Sequence, residues 1–299
     1  MKLIIQRPAA ALFTLLTTYL YVESSVALIS SETTGVEIMQ QVQTRHQQFP
    51  YIYEEQSMVM QDRHGDRDTR MARRFSKVEE DGTVRFLLLF DYPEEVKGVA
   101  LLAKRDPDGH TSKYIYLPAL GERLIESAGE GSNDNFLGTD FSVENLTGEV
   151  IDDHEYKRRA NVRIDGVIHY VLDVYLDVDK GEKALLRKHF IREDNLYITL
   201  THHFDKRGRL SRIQSHHDLK AVDGQMWRAN MILMEDKKQD HQSLIKVTRR
   251  IFSHDYVPAE VFTEDWLFSN YPYIEPVSES KLEDDIDSDV AQSIEEEIE

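Results

Sequence analysis

Two periodicities divide the chain. Between residues 34 and 47 apolar side chains recur at helical spacing, with Val36, Met39 and Val42 on one stripe. Thr34 stands three residues before Glu37, the spacing of a capping box, in which each side chain satisfies a backbone N–H of the first turn. The spacing predicts one amphipathic helix over about 34–47, its apolar stripe laid against a sheet, and Pro50 bars its continuation. From Tyr53 onward the period is two. In 167–178, Ile168, Tyr170, Leu172, Val174, Leu176 and Val178 share one face, and His169, Asp173 and Asp177 share the other. In 225–236, Trp227, Ala229, Met231 and Leu233 alternate with Arg228 and Asn230.

Turn signals punctuate these runs. His64-Gly65-Asp66, Asp81-Gly82, Asp108-Gly109, Asp165-Gly166, Lys180-Gly181, Asp194-Asn195, Arg207-Gly208 and Asp223-Gly224 supply the positive φ of tight hairpins. The pattern predicts a β-dominated α+β fold, a long antiparallel meander of about eleven strands with one apolar and one wet face. A sheet of that size curls, and its apolar face needs a cover. The candidates are the first helix, the segment between Ala128 and Gly148, and a short helix near 258–268. So small a cover over so large a sheet implies an apolar hollow.

The ends and the charge narrow the class. Lys2 and Arg7 precede a mostly apolar stretch to Val22, then Ser25-Val26-Ala27 offers small residues where a signal peptidase cuts. The stretch falls short of the roughly 20 residues a helical span needs. Residues 1–27 are therefore expected to be a secretory signal peptide, 28–274 a single domain, and 275–299 a tail too acidic to bury a core, hence disordered. The formal net charge of -18 argues against nucleic acid as a partner. Arg70, Arg73 and Arg74 form one small basic group, read as a solvated strand face. The chain has no cysteine, which removes disulfides, thiolate nucleophiles, cysteine metal sites and lipoprotein acylation, and leans towards a bacterial periplasm.

Between Phe90 and Leu146 an ordered set of pieces stands out: Tyr92-Pro93; Val96 to Leu102; Tyr114-Ile115-Tyr116-Leu117-Pro118-Ala119-Leu120; Phe136-Leu137-Gly138-Thr139-Asp140-Phe141-Ser142; and Glu144-Asn145-Leu146. With Gly35-Val36-Glu37-Ile38-Met39 before it and Val261-Phe262-Thr263-Glu264 after it, this set resembles the LolA-like outer-membrane lipoprotein-sorting family, in the divergent branch associated with large lipid exporters. The resemblance covers most of 34–268. It departs where Thr139 replaces a usual serine and Asn145 a usual acid. It implies an incomplete β-barrel closed by helices, of LolA/LolB type, and a cavity for the acyl chains of a lipid or lipoprotein. It also implies an inner-membrane lipid exporter as a possible partner, and no cofactor. Read physically, Gly138 before Thr139-Asp140 looks like an N-cap entering a single turn over 141–146. Phe136 and Phe141 then pack inward, either as ordinary core or at a cavity mouth.

Chemistry-bearing constellations are few. His202-His203 and His216-His217 fall on consecutive strands with His189 on the strand before, but neighbours in a strand point to opposite faces. They are expected to be polar surface residues, with no metal site. No Gly-x-Ser-x-Gly, Gly-x-Gly-x-x-Gly or phosphate loop occurs. No catalytic residues are therefore assigned, and a hydrolase is the remote reading. The reading that remains is a periplasmic carrier that is not an enzyme. The alternative is an adaptor that senses lipid or lipoprotein for a membrane partner. The side chains expected to line the cavity are Met39, Val42, Tyr114, Tyr116, Phe136, Phe141, Leu172, Val174, Trp227, Met231 and Leu233.

Overall fold

The structure is a computed structural model that describes residues 29–108, 110–120, 124–126, 135–178, 182–223 and 225–270. The expected signal peptide, all but Ile29 of its flank, and the acidic tail lie outside the described residues. Contacts divide the chain after Thr33. Of the first unit, residues 29–33 form a turn in which the Ser30 N–H donates to Thr33 Oγ1. The second unit carries the fold.

It begins with α1 (Gly35–His46), whose capping box is in place: the Thr34 N–H donates to Glu37 at 2.7 Å, and the Glu37 N–H returns to Thr34 Oγ1. The strands are β1 (Tyr51–Gln61), β2 (Arg67–Val78), β3 (Val84–Tyr92), β4 (Ala100–Arg105), β5 (Thr111–Tyr116) and β6 (Leu124–Glu126). After a crossover containing α2 (Val143–Thr147) come β7 (Glu155–Ile164), β8 (Val167–Val178), β9 (Glu182–Arg192), β10 (Ile198–Phe204), β11 (Leu210–Asp223), β12 (Met226–Asp236) and β13 (His241–Ile251). The short helix α3 (Glu264–Asn270) follows.

The described strands form one curved, open antiparallel sheet of 13, in the order β6-β5-β4-β3-β2-β1-β13-β12-β11-β10-β9-β8-β7. Two meanders thus flank the central pair β1/β13. The chain runs out to one edge at β6, crosses to the other edge at β7, and returns strand by strand. The count exceeds the expected eleven for two visible reasons. The three-residue β6 carries too little pattern to read. The β12–β13 hairpin turns on Asp240 at φ 53°, with no glycine to announce it. Elsewhere the glycines do what a hairpin needs: Asp165 and Gly166 are both at positive φ. Bulges at Glu55/Gln56, Met71/Ala72 and Val174/Tyr175 bend their strands. Along the β7 edge lie Lys157, Arg158, Arg159 and Arg163, charges of the kind that deter edge-to-edge pairing.

The first half of the sheet is covered on both faces, and this corrects the picture of one apolar and one wet face. On the inner face Met58, Phe86, Leu88, Phe90, Leu101 and Met234 pack against Phe136 and Phe141 of the crossover. On the outer face Tyr53, Phe75, Leu87, Leu89 and Tyr116 pack under Val257, Val261, Phe262 and Leu267 of the C-terminal segment. Strand β3 is the signature: 86–90 is an unbroken apolar run, as burial on both sides requires. The segment near 258–268 is therefore a second lid on the opposite face, and adds nothing to the inner cover.

Helix α1 buries Ile38, Met39, Val42 and His46, while Val36 is 38% exposed. The buried stripe runs through Ile38 rather than Val36, because α1 turns its first residue towards β7. There a Cβ on Gly35 would stand 2.6 Å from the carbonyl oxygen of Tyr156. Gly35→Ala would ordinarily favour a helix. Here it should destabilise by about 1–3 kcal/mol, the cost of overpacking. A denaturation midpoint equal to or above wild type would show that α1 can shift without loss.

Candidate functional site

The crossover is what closes the inner face, and polar pins hold it there. The Ser142 N–H donates to Asn145 Oδ1 at 2.9 Å and the Asn145 N–H returns to Ser142 Oγ, so Ser142, and not Thr139, caps α2. A neutral amide does the work of the acid that stands there in the LolA-like pattern. Thr139 instead donates to the Phe136 carbonyl at 2.8 Å. Asp140 is fully buried: its Oδ2 accepts from Ser243 at 2.7 Å and lies 2.7 Å from His241 Nδ1, while Arg212 donates to its backbone carbonyl.

Arg187 on β9 makes the second set of pins. Its side chain is 6% exposed and reaches Glu144 of α2 at 2.5 Å and Glu149 at 2.6 Å. Glu149 also takes the hydroxyl of Tyr156 and the His189 ring at 3.2 Å. The Thr201 hydroxyl lies against the other nitrogen of His189 at 2.9 Å. Burial would raise the carboxyl of Glu149, but the charge of Arg187, with the His189 and Tyr156 hydrogen bonds, carries it well below the usual range.

Beneath this cover, between α1, the crossover and the inner face, lies a hollow of about 400 Å³. That is within the range of roughly 300–1,000 Å³ common for small-molecule sites. Its apolar wall includes Met39, Val42, Phe86, Leu88, Phe141 and Ile232. Its polar wall includes Glu54, Arg74, Arg228 and Arg250, with Arg105, Gln214 and His216. Glu54, 2% exposed, accepts from Arg74 at 3.0 Å, Arg250 at 2.6 Å and Gln56 at 2.7 Å. Burial opposes its ionisation, but the two guanidinium groups hold its carboxyl down at about 2.

Of the residues expected to line a cavity, Met39, Val42 and Phe141 are brought together at the hollow. Phe136 is buried in the inner core, its ring 6.1 Å from that of Phe90. Leu172 and Val174 are fully buried and pair with His189 and Arg187, outside the lining. Tyr114 and Tyr116 belong to the outer face, where Tyr116 packs against Phe268. Trp227, Met231 and Leu233 also turn outward, and Leu233 packs with Val59 and Leu244. The strand presents Arg228 and Ile232 to the hollow instead, so β12 has the opposite phase to the one its pattern suggested. The basic group splits as well. Arg73 forms a bidentate pair with Asp91 at 2.7 and 2.8 Å on the outer face, while Arg70 and Arg74 face inward.

The histidines are not all surface groups: His189 is buried, His203 and His216 are largely desolvated, and His202 and His217 are half-buried. Among the described residues no cluster of three or more His, Cys, Asp or Glu is placed to hold a metal. His46 accepts the Trp227 N–H at Nδ1 and so donates from Nε2 to the Leu196 carbonyl at 3.1 Å, a neutral ring satisfied at both ends. Burial lowers His46 and His216 to about 4 and His203 to about 3. His46 and His216 line the hollow on either side of Tyr197, within 5.2 and 5.6 Å of its ring.

Three solved structures share this architecture. A domain described as an outer membrane lipoprotein-sorting protein, from Vibrio parahaemolyticus, has a TM-score of 0.71 at 20% identity over 78% of this chain and 98% of its own. A DUF1329 family protein from Desulfovibrio piger has a TM-score of 0.66 at 21% identity, over 77% and 98%. A LolA superfamily protein from Nitrosomonas europaea has a TM-score of 0.60 at 18% identity, over 78% and 99%. The fold is LolA-like. A family model described as "Uncharacterized protein" matches residues 82–269, more than half of the chain, and the chain belongs to that family. No curated protein matches it significantly. Among the described residues no helix is long and apolar enough to cross a membrane.

Two outcomes test this site as a structure. Arg187→Met should cost about 3–5 kcal/mol, because it leaves Glu144 and Glu149 buried without their cation. Adding Glu149→Leu should recover part of the loss. A double variant no more stable than the single one would show that the pair is not what holds the crossover. The histidines set the second. Above pH 6.5 folded and unfolded states both keep these rings neutral. Below it the unfolded chain takes up protons that the folded one refuses until about pH 4. Stability should therefore fall with pH in that window, by up to about 1.4 kcal/mol per pH unit for each ring. The Tm should drop between pH 7 and 5, and His216→Asn should flatten the slope. An unchanged slope would place the titration elsewhere.

Proposed function

We propose that the chain is an exported, periplasmic carrier that binds a lipid, or the acyl chain of a lipoprotein, in the hollow between α1, the crossover and the inner face of the sheet. The observation that carries this reading is the hollow itself: about 400 Å³ beneath a pinned cover, with Met39, Phe86, Leu88, Phe141 and Ile232 among its apolar lining. An acyl chain laid on that wall gains about 25 cal/mol for each Å² of apolar surface it removes from water, before the costs of association. Nothing in the fold must open to provide this surface. The LolA-like fold supports the same reading, since the Vibrio parahaemolyticus domain of that architecture is described as a lipoprotein-sorting protein. An inner-membrane exporter would be the donor, and the exchange would make and break no covalent bond.

Purified full-length protein should yield about one lipid per chain on organic extraction and mass spectrometry. It should also brighten the uncharged probe N-phenyl-1-naphthylamine. Ile232→Glu, which sets a carboxylate on the apolar wall, should weaken that probe at least tenfold while far-ultraviolet circular dichroism stays that of the wild type. Wild-type protein that carries no lipid and brightens no probe overturns the carrier reading.

A further inference from the structure

The polar wall of the hollow carries more positive charge than its own carboxylates can answer. Arg74, Arg228, Arg250 and Arg105 line it, against Glu54 and Glu149. Glu149 is occupied by Arg187 and His189. Glu54 serves Arg74 and Arg250 together. Arg250 has further partners in the Asn230 side chain and the Ala229 carbonyl, at 2.9 and 2.8 Å. Arg228 has no such set. Its hydrogen bond runs to its own neighbour, the Trp227 carbonyl, at 3.4 Å, and among the described residues no carboxylate lies within ion-pair distance of it. Arg74 contributes a buried Nε without a partner. Arg228 sits close enough to Arg74 and Arg250 to feel both: burial first, and then these two cations, lower it to about 10. Three guanidinium groups thus converge on one carboxylate, in a place where an unanswered charge is costly.

The apolar wall starts where the arginines end. Arg74 is paired directly with Leu88 across β2 and β3, and its guanidinium stands over the Phe86 ring at 5.3 Å. A ligand that spans the two walls needs an anion at one end and a hydrocarbon at the other.

We infer that Arg74, Arg228 and Arg250 form a headgroup clamp, and that the hollow takes an amphiphile with a carboxylate or phosphate head on an acyl tail. This rests on the carrier reading and names its ligand class. Guanidinium is suited to the task, since it presents paired donors to carboxylate and phosphate alike and stays charged when buried. Glu54 gives the clamp its shape, by holding Arg74 and Arg250 in place. Arg228 supplies the charge that Glu54 leaves over.

The test displaces N-phenyl-1-naphthylamine from the full chain at pH 7.5 with dodecanoic acid, with 1-dodecanol, and with inorganic phosphate. The acid and the alcohol share a tail and differ in the charge of the head. Wild type should prefer the acid at least tenfold. Arg228→Met should lower the affinity for the acid about tenfold and leave that for the alcohol unchanged. Arg228→Lys should fall between the two. The alcohol also reports that the variant is folded. Equal affinities for acid and alcohol in wild type, or equal losses of both in Arg228→Met, overturn the clamp and leave the carrier reading standing. Displacement by millimolar phosphate as strong as that by the acid also overturns it, because the tail would then contribute nothing. If no apolar ligand binds at all, the carrier reading and the clamp fall together.

Discussion

The contact between Arg187 and the two carboxylates of the crossover is the constraint on which the rest depends. The crossover has to travel from one edge of the sheet to the other, from β6 to β7, and it lies over the inner face on the way. Its described residues, 135–154, form only short helical turns, none longer than the five residues of α2, which offer little of their own to hold it down. Its apolar anchors, Phe136 and Phe141, fix it over the first half of the sheet. Over the second half it is held by charge, with Glu144 and Glu149 tied to a single guanidinium on β9. Without that tie, Phe141 would still be held by the inner cluster, but Glu144 and Glu149 would lose the cation that fixes the 144–149 side of the hollow.

The same geometry explains why a hollow persists at all. Protein interiors pack densely, and a space of this size closes unless its walls are held apart. Here the walls belong to three separately anchored elements. One is the sheet. Another is α1, anchored at its start by the tight Gly35–Tyr156 approach and at its end by His46, which bridges Trp227 and Leu196. The third is the pinned crossover. Polar groups on the sheet side add to this, because Gln56, Arg74 and Arg250 all hold the one carboxylate of Glu54, which stays satisfied without collapse.

Local structure was legible in the sequence, and its orientation was not. The capping box at Thr34 and Glu37 and the Asp165-Gly166 hairpin each carry their own physical signature over a few residues, and each appears as read. The alternation of 167–178 does form strand β8, but His169 and Asp173 of its polar side are buried, and the bulge at Val174/Tyr175 breaks its phase. The phase of a strand is different. Arg73 and Arg74 are adjacent and chemically alike, yet one meets Asp91 outside and the other Glu54 within. In β12 the more apolar side, with Trp227, Met231 and Leu233, faces away from the hollow, because the outer face has apolar partners of its own in Val59 and Leu244. A period of two tells which residues travel together, but not which side is inside when both sides are covered. The unbroken run 86–90 was the one sequence signal of that double cover.

It follows that the chemistry of the hollow resides in the residues the alternation assigned to water. Arg228 stood on the polar side of its strand, and polar side meant solvent only while the sheet was taken to have one dry face. Once the C-terminal segment covers the outer face of the first half, the inner face is free to carry charge, provided that charge is answered. Glu54 answers part of it, at a carboxyl held near 2 by Arg74 and Arg250 and so ionised throughout the neutral range. That pairing holds the Arg74 and Arg250 guanidinium groups together, so a ligand's anion meets donors already in place and spends little on arranging them. The excess of cation over carboxylate is then what separates the candidate ligands. An uncharged lipid would satisfy the wall of Phe86 and Leu88 and leave Arg228 as it found it, whereas an anionic amphiphile satisfies both walls at once.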